Sequence, residues 1–312
     1  MQVSGLGSLR PLATDMRVAV TGKTGQIATA LIEAATGVTD LSVHLIGRPE
    51  IDLRKPDNLL PMMEALRPDL VINAAAWTAV DLAETEADEA MAINSEGAAS
   101  VARAASDLGI PIIQVSTDYV FDGTKSGAYL ETDTPGPTGV YGLSKLAGEQ
   151  VVASISRNHA ILRISWVYAA EGKNFVRAML RLAETRDEVS VVADQTGCPG
   201  YAPDISRILI AMGRQLVSSP GEDTLRGVFH LGGSEALTWA DFAEAIFAGS
   251  AKRNGPFARV KRIATKDYPT PAQRPQNSYL DGTRLAASYC LRMPPWQNSL
   301  EDCLDLIFRS RS

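Results

Sequence analysis

Tyr141 and Lys145 stand four residues apart in the run Tyr141-Gly142-Leu143-Ser144-Lys145. On a helix this is about one turn, so the phenol and the ammonium share a face. A free phenol has a pKa of about 10, too high for easy proton exchange at neutrality. A cation beside it favours the phenolate and brings that exchange within reach. Upstream, Ser116-Thr117 closes the apolar run Ile112–Ser116. Ligands of open α/β sheets lie at the carboxyl ends of strands, where such a hydroxyl can hold a carbonyl oxygen. Alone, Ser116-Thr117 reads as a turn cap. With Tyr141 and Lys145 following in order, it completes a Thr/Tyr/Lys constellation able to protonate and stabilise an alkoxide.

Such a site needs a reductant, and the N-terminal part of the chain offers a place for one. Gly22, Gly25 and Ala28 form G-x-x-G-x-x-A after the apolar run Arg17–Thr21. Small residues there let the backbone approach a pyrophosphate at a helix N-terminus. Gly22-Lys23-Thr24 echoes the end of a P-loop, but Arg17 stands where that motif needs its first glycine, so ATPase chemistry is rejected. The second strand ends at Gly47-Arg48-Pro49 with no carboxylate. An arginine there suits a 2′-phosphate and favours NADPH over NADH; the alternative is a solvated surface arginine. Asp52 is placed to accept from an adenine amino group or to cap the segment after Leu53. Asn73-Ala74-Ala75-Ala76 follows the third strand, where small residues let a dinucleotide lie close. The candidate cofactor set is Gly22, Thr24, Gly25, Gln26, Ile27, Arg48, Asp52, Leu53, Ala74, Ala75 and Ala76, with Tyr141 and Lys145. Asn94, polar in an Ala-rich helix, either bridges buried groups or faces solvent.

The elements that carry these residues alternate. Strands are expected at 17–21, 42–46, 69–73, 112–116 and 160–164, with helices at about 26–36, 56–66, 88–108 and around Tyr141. Pro56 suits a helical first turn. Alternation of short apolar strands with helices predicts a doubly wound parallel α/β sheet, Rossmann-like, over residues 16–165. After Trp166 the pattern loosens into a smaller α+β C-terminal substrate lobe, 166–312, some segments of which return to the first domain. Its expected elements are helices at 174–185 and from Pro203, strands at 189–192, 227–231 and 259–263, and two short helices at 281–289 and 297–308. Thr238–Asp241 has the spacing of a capping box. Long loops beside a nucleotide-binding domain are natural walls for a substrate cleft.

The 312 residues are 45% hydrophobic and 21% charged with net charge -6, an ordinary globular composition that argues against a nucleic-acid surface. The three cysteines are widely spaced, and the three histidines form no i, i+3 or i, i+4 pair, so neither a disulfide framework nor a metal site is expected. Residues 1–15 read as an N-terminal extension without a secretory signal, and no membrane span is expected. A cytoplasmic setting fits, and the apolar content leaves room for a homodimer face.

The motifs together resemble a known family. They are T-G-K-T-G-Q at Thr21–Gln26, N-A-A-A-W-T-A-V-D at Asn73–Asp81, S-T-D-Y-V-F-D-G at Ser116–Gly123, Y-x-x-x-K, R-I-S-W-V-Y at Arg163–Tyr168, D-Q-T-G-C-P at Asp194–Pro199 and R-P-Q-N-S-Y-L-D at Arg274–Asp281. Over residues 16–308 the chain resembles the extended short-chain dehydrogenase/reductases and, within them, the dTDP-4-dehydrorhamnose reductase family. The resemblance implies NAD(P)H-dependent reduction at C4 of a dTDP-linked 6-deoxy-4-keto sugar, giving dTDP-L-rhamnose. It implies that Tyr141 protonates the ketone oxygen, that Lys145 holds the nicotinamide ribose and lowers the phenol pKa, and that Thr117 hydrogen-bonds the reacting oxygen. It also implies that Asp118, Tyr119 and Trp166 lie near the sugar and Arg274 near the diphosphate; Trp166 reads alternatively as a core aromatic. The chain departs from the pattern at Gly200, where a hydroxyl residue is expected, and at Ala28 in place of a third glycine. Rival expectations are a reductase or epimerase of another nucleotide-linked 4-keto sugar, and a non-catalytic dinucleotide-binding subunit like the regulatory subunit of methionine adenosyltransferase.

Overall fold

A computed structural model describes residues 15–309. The extension expected over residues 1–15 lies, apart from Asp15, outside the described residues. The chain runs β1 (Met16–Thr21), α1 (Gln26–Ala35), β2 (Leu41–Ile46), α2 (Leu59–Leu66), β3 (Leu70–Asn73), α3 (Val80–Ala83), α4 (Ala87–Met91), α5 (Ala98–Asp107), β4 (Ile112–Thr117), α6 (Val140–Ile155) and β5 (His159–Ile164). Then follow β6 (Val167–Tyr168), α7 (Phe175–Ala183), β7 (Glu188–Val192), β8 (Thr196–Gly197), β9 (Gly200–Tyr201), α8 (Ala202–Ser218), β10 (Gly227–His230), β11 (Leu237–Thr238), α9 (Trp239–Ala251), β12 (Arg259–Ile263), α10 (Thr283–Tyr289) and α11 (Trp296–Arg309).

Six parallel strands form the main sheet in the order β10-β5-β4-β3-β1-β2. The expected doubly wound α/β sheet is present. Its strands are apolar because helices cover both faces: β3 and β4 are buried throughout. One core layer joins the sheet to α1 and α8 through Leu31, Leu70, Leu162 and Leu209. The other joins it to α2 and α5 through Val71, Met63 and Val101. A third core, around Val189, Phe242, Ile246 and Leu304, gathers α7, α9, α11 and the β7–β12 pair. The strand order reverses between β1 and β3, which opens the crevice where such sheets bind ligands.

Two expected helices differ in detail. The helix expected from Pro56 begins at Leu59, because Pro56 instead accepts a turn hydrogen bond from the Leu59 amide (2.8 Å). The helix expected over 88–108 is broken by one turn of π-helix, Ala92–Gly97, between α4 and α5. The extra residue in that turn brings Asn94 to the interior (2% exposed). The capping box forms: the Thr238 hydroxyl accepts from the Asp241 amide and the Asp241 carboxylate from the Thr238 amide. Among the described residues no helix is long and apolar enough to cross a membrane.

Candidate active site

The turn after β1 and the segment after β3 meet at the reversal point. Gly22 has φ +93°, a left-handed conformation that L side chains rarely adopt, and a side chain there would face the backbone of Ala75 at 3.5 Å. Gly25 precedes α1 with open space around it, no side chain caps that helix, and no acidic residue lies in its first turn. A helix start without a side-chain cap or a competing carboxylate suits a phosphate group. Beneath this turn lies a buried polar row. Thr21 donates to Asn73, Asn73 Nδ2 donates to Gln114 Oε1 (2.7 Å), and the Ala75 amide donates to the Thr21 hydroxyl (3.1 Å). The row holds Ala74–Ala76 against β1. Sequence reasoning missed Thr21 and Gln114, though a glutamine inside Ile112–Thr117 was a visible signal. Gln26 accepts from the Asn174 amide group (3.0 Å), which ties α1 to the start of α7. Thr24 is exposed and Ile27 is buried beneath the turn.

At the end of β2, Arg48 is exposed and its charge helps to lower Asp52. Asp52 accepts first from Arg54, through guanidinium and amide, and falls to about 2. Its carboxylate thus organises its own turn. Leu53 packs against Gly97 of the π turn so closely that a side chain at 97 would lie 2.9 Å from Leu53 Cβ.

The Thr/Tyr/Lys residues come together as expected. Thr117 ends β4, and Tyr141 and Lys145 lie on the first turns of α6, both buried. Helix α6 gets this close because Gly142 has no side chain: a Cβ there would sit 2.1 Å from the Tyr119 carbonyl oxygen. Tyr119 packs edge-on against Tyr141 with centroids 5.6 Å apart. Asn94 anchors the helix from the other side. Its Nδ2 donates to Ser144 Oγ (2.9 Å) and to the Trp77 carbonyl, and its Oδ1 accepts from the Trp77 amide (2.8 Å). It therefore bridges buried groups and does not face solvent.

The electrostatics differ from the expectation at one point. Burial pushes the Tyr141 phenol up to about 12; a hydrogen bond with Thr117 pulls the other way and Asp118 adds to the rise. Lys145 is not among the groups that move the phenol; its ammonium donates to the Val115 carbonyl oxygen (2.8 Å). Burial lowers Lys145 itself to about 8, against an upward pull from Glu149. Thr117 Oγ1 also donates to Asp118 Oδ1 (2.8 Å). Asp118 is 2% exposed, and its Oδ2 has no hydrogen-bond partner. Burial raises it to about 6, with weaker downward pulls from Thr117 and, at longer range, Ser278.

Of the other expected residues, Trp166 and Arg274 both meet the walls of one cleft. Trp166, held at φ +44°, donates from its indole to Ser278 Oγ (3.2 Å) and stacks on Trp239 with centroids 3.5 Å apart. Trp239 lines a cleft of about 610 Å³ with Phe175, Met179, Gln195, Tyr268 and Arg274. Thr117, Tyr141 and Lys145 do not line that cleft. Arg274 grips Asp81 with both terminal nitrogens (3.0 and 2.9 Å) and lies near Tyr119. Gly200 has a packing reason: a side chain there would fall 2.6 Å from the Ser165 carbonyl oxygen. Sequence reasoning missed Asp81, Ser278 and Trp239 as partners, since each is distant in sequence from what it touches.

The family model for the RmlD substrate binding domain matches residues 16–308. The dTDP-4-dehydrorhamnose reductase of Sinorhizobium fredii is 48% identical over 284 residues, 91% of this chain and 95% of that protein. The dTDP-4-dehydrorhamnose reductase of Escherichia coli K12 is 36% identical over 297 residues, 94% of this chain and 98% of that one. Among solved structures, the dTDP-4-dehydrorhamnose reductase of Bacillus anthracis in complex with NADP superposes with a TM-score of 0.85 at 33% identity, covering 94% of this chain and 99% of that one. The pleated crevice, the Thr/Tyr/Lys grouping and these matches agree, and the chain belongs to the dTDP-4-dehydrorhamnose reductase family.

Proposed function

We propose that this chain reduces the C4 ketone of dTDP-4-dehydro-L-rhamnose to dTDP-L-rhamnose, with NADPH as reductant and Tyr141 as proton donor. The observation that carries the reading is the buried grouping of Thr117, Tyr141 and Lys145 beside the crevice at the sheet's reversal point. A bound nicotinamide dinucleotide supplies the hydride. The Gly22–Gly25 turn and the open start of α1 would hold its pyrophosphate, Ala74–Ala76 its ribose, and Arg48 a 2′-phosphate. Lys145 would hold the ribose on the nicotinamide side. NADH remains an alternative that Arg48 disfavours.

Thr117 Oγ1, on turning its hydroxyl from Asp118, and Tyr141 Oη would form a two-point clamp for one carbonyl oxygen, and Tyr141 would deliver the proton as that oxygen becomes an alkoxide. A phenol held near 12 is still a stronger acid than the alcohol it forms, so it can protonate the alkoxide yet stays protonated until charge develops. The cleft under Trp239 suits a flat base on its aromatic and apolar wall. Arg274 would serve the diphosphate after exchanging its bond to Asp81, and Asp118, Tyr119 and Trp166 would flank the sugar.

The test is NADPH oxidation with dTDP-, GDP-, UDP- and CDP-linked 4-keto sugars. Turnover with the dTDP-linked 6-deoxy sugar is expected. Turnover of none of them, with NADPH still bound, would favour a binding subunit, and preference for another nucleotide would reassign the substrate. Tyr141→Phe should keep cofactor affinity and lose turnover by about 100-fold or more; comparable turnover would show that another group donates the proton.

A further inference from the structure

Behind Lys145 lies a buried charged row that the reaction as written does not use. Ser116 on β4, Arg163 on β5 and His230 on β10 are in register on three adjacent strands, so their side chains share one face of the sheet. That face meets α6 at Glu149, one turn after Lys145. Arg163 donates from Nε to Glu149 Oε1 (2.9 Å) and from Nη2 to Oε2 (2.6 Å). Ser116 Oγ adds a third donor to Oε1 (2.5 Å). The remaining guanidinium arm reaches His230 Nε2 (3.2 Å), whose other nitrogen meets the Tyr129 carbonyl (2.9 Å). Arg163 and Glu149 are each 3% exposed and His230 is fully buried.

A buried ion pair is a poor source of stability, because desolvation offsets most of its attraction. This pair is bonded on both sides, and its carboxylate sits one helical turn along α6 from Lys145. We propose that Glu149, held in place by Arg163, is a positioning residue that keeps Lys145 charged. This rests on the reading of Lys145 as the group that holds the cofactor ribose.

Four observations support the assignment. Lys145 donates to a backbone carbonyl, a neutral acceptor, so its own hydrogen bond adds little to hold the charge. Burial alone drives it toward the neutral amine, and Glu149 is the group that opposes this. Arg163 locks the carboxylate by two parallel bonds, fixing where its charge lies. His230 is held neutral by burial and by Arg163, falling to about 3, so it accepts from the guanidinium and adds no second cation.

The remaining charges around α6 do not compete. Asp118 and Tyr141 are each engaged with Thr117. Tyr119 is held well above the ordinary phenol range by burial and stays neutral. From α3, Glu84 caps the Val140 amide and Asp81 is paired with Arg274. From α4 and the π turn, Glu89 pairs with Arg54, while Asp88 and Glu96 are exposed. Arg103 and Asp107 of α5 are exposed.

The experiment is NADPH affinity as a function of pH, read by fluorescence for the intact chain and for Glu149→Gln. The wild-type affinity should fall as pH rises past about 8. In Glu149→Gln the fall should begin about one to three pH units lower, the size of effect a nearby opposite charge has. Coincident curves overturn the proposal, and so does a wild-type curve with no alkaline fall. Glu149→Gln leaves Arg163 buried without its partner, so the paired variant Glu149→Gln with Arg163→Met guards against loss of folding. Its curve should also move to lower pH, and a wild-type curve in it overturns the proposal. Binding curves that separate while no 4-keto sugar is turned over would uphold Glu149 and sink the reductase reading instead.

Discussion

Replacing Asp118 with asparagine should stabilise the fold, and by an amount that depends on pH. Asp118 is 2% exposed, one of its oxygens has no partner, and burial raises it to about 6 from an ordinary value of 3.8. The raised value means that the folded chain binds this proton more readily than the unfolded chain between about pH 4 and 6. Stability therefore falls as pH rises through that window. With these two values the cost of the carboxylate is about 3 kcal/mol at pH 7 and roughly half that at pH 5. Asparagine keeps the shape and the acceptor for Thr117 but never ionises. Its own imperfect hydrogen bonding is the same at both pH values and cancels in the comparison. The advantage of Asp118→Asn over wild type should therefore grow by on the order of 1 kcal/mol from pH 5 to pH 7. Urea denaturation at the two pH values, with slopes compared to check for an unchanged unfolded state, measures it. An advantage independent of pH would refute the raised carboxyl value, and with it the claim that this group sits in a dry, underbonded place. A charge that costs stability where the substrate is expected is what a site selected for binding or catalysis, not for folding, would keep.

Other outcomes follow from the packing and the turn chemistry. Gly142→Ala pushes a methyl to 2.1 Å from the Tyr119 carbonyl oxygen. Because backbone blocks it, thermal denaturation should show a loss of about 1–3 kcal/mol, and turnover should fall further as α6 shifts. Arg48→Ala should weaken NADPH binding by about 10- to 100-fold, the value of one or two charge-assisted hydrogen bonds, and leave NADH affinity nearly unchanged; an unchanged ratio of the two constants removes Arg48 from cofactor selection.

Much of the site was legible because its determinants are local. The glycine turn after β1, the hydroxyl at the end of β4 and the one-turn spacing of Tyr141 and Lys145 are short-range patterns, and the sheet and these helices follow from periodicity. Other features were not local. The extra residue that makes the π turn leaves the Ala-rich helical pattern intact, so the inward turn of Asn94 has no signature in sequence. Leu59 rather than Pro56 starts α2 because a preceding turn already uses the Pro56 carbonyl. The strand Gly227–His230 is readable as a strand, yet its seat beside β5 depends on pairing across a long connection.

The amino-acid sequence by itself determined the fold class, the family and the identity of the groups that would do the chemistry. Only the tertiary structure decided their electrical state. Charge depends on desolvation and on partners brought together from distant segments: Glu149 with Arg163 across 14 residues, and Arg163 with His230 across 67. From the sequence, Lys145 should lower the Tyr141 phenol. In the folded protein, burial governs the phenol, which stands near 12, while the ammonium turns to Val115 and is held up by Glu149. Spacing along one helix places two groups on a face, but the dielectric around that face is set by everything packed against it.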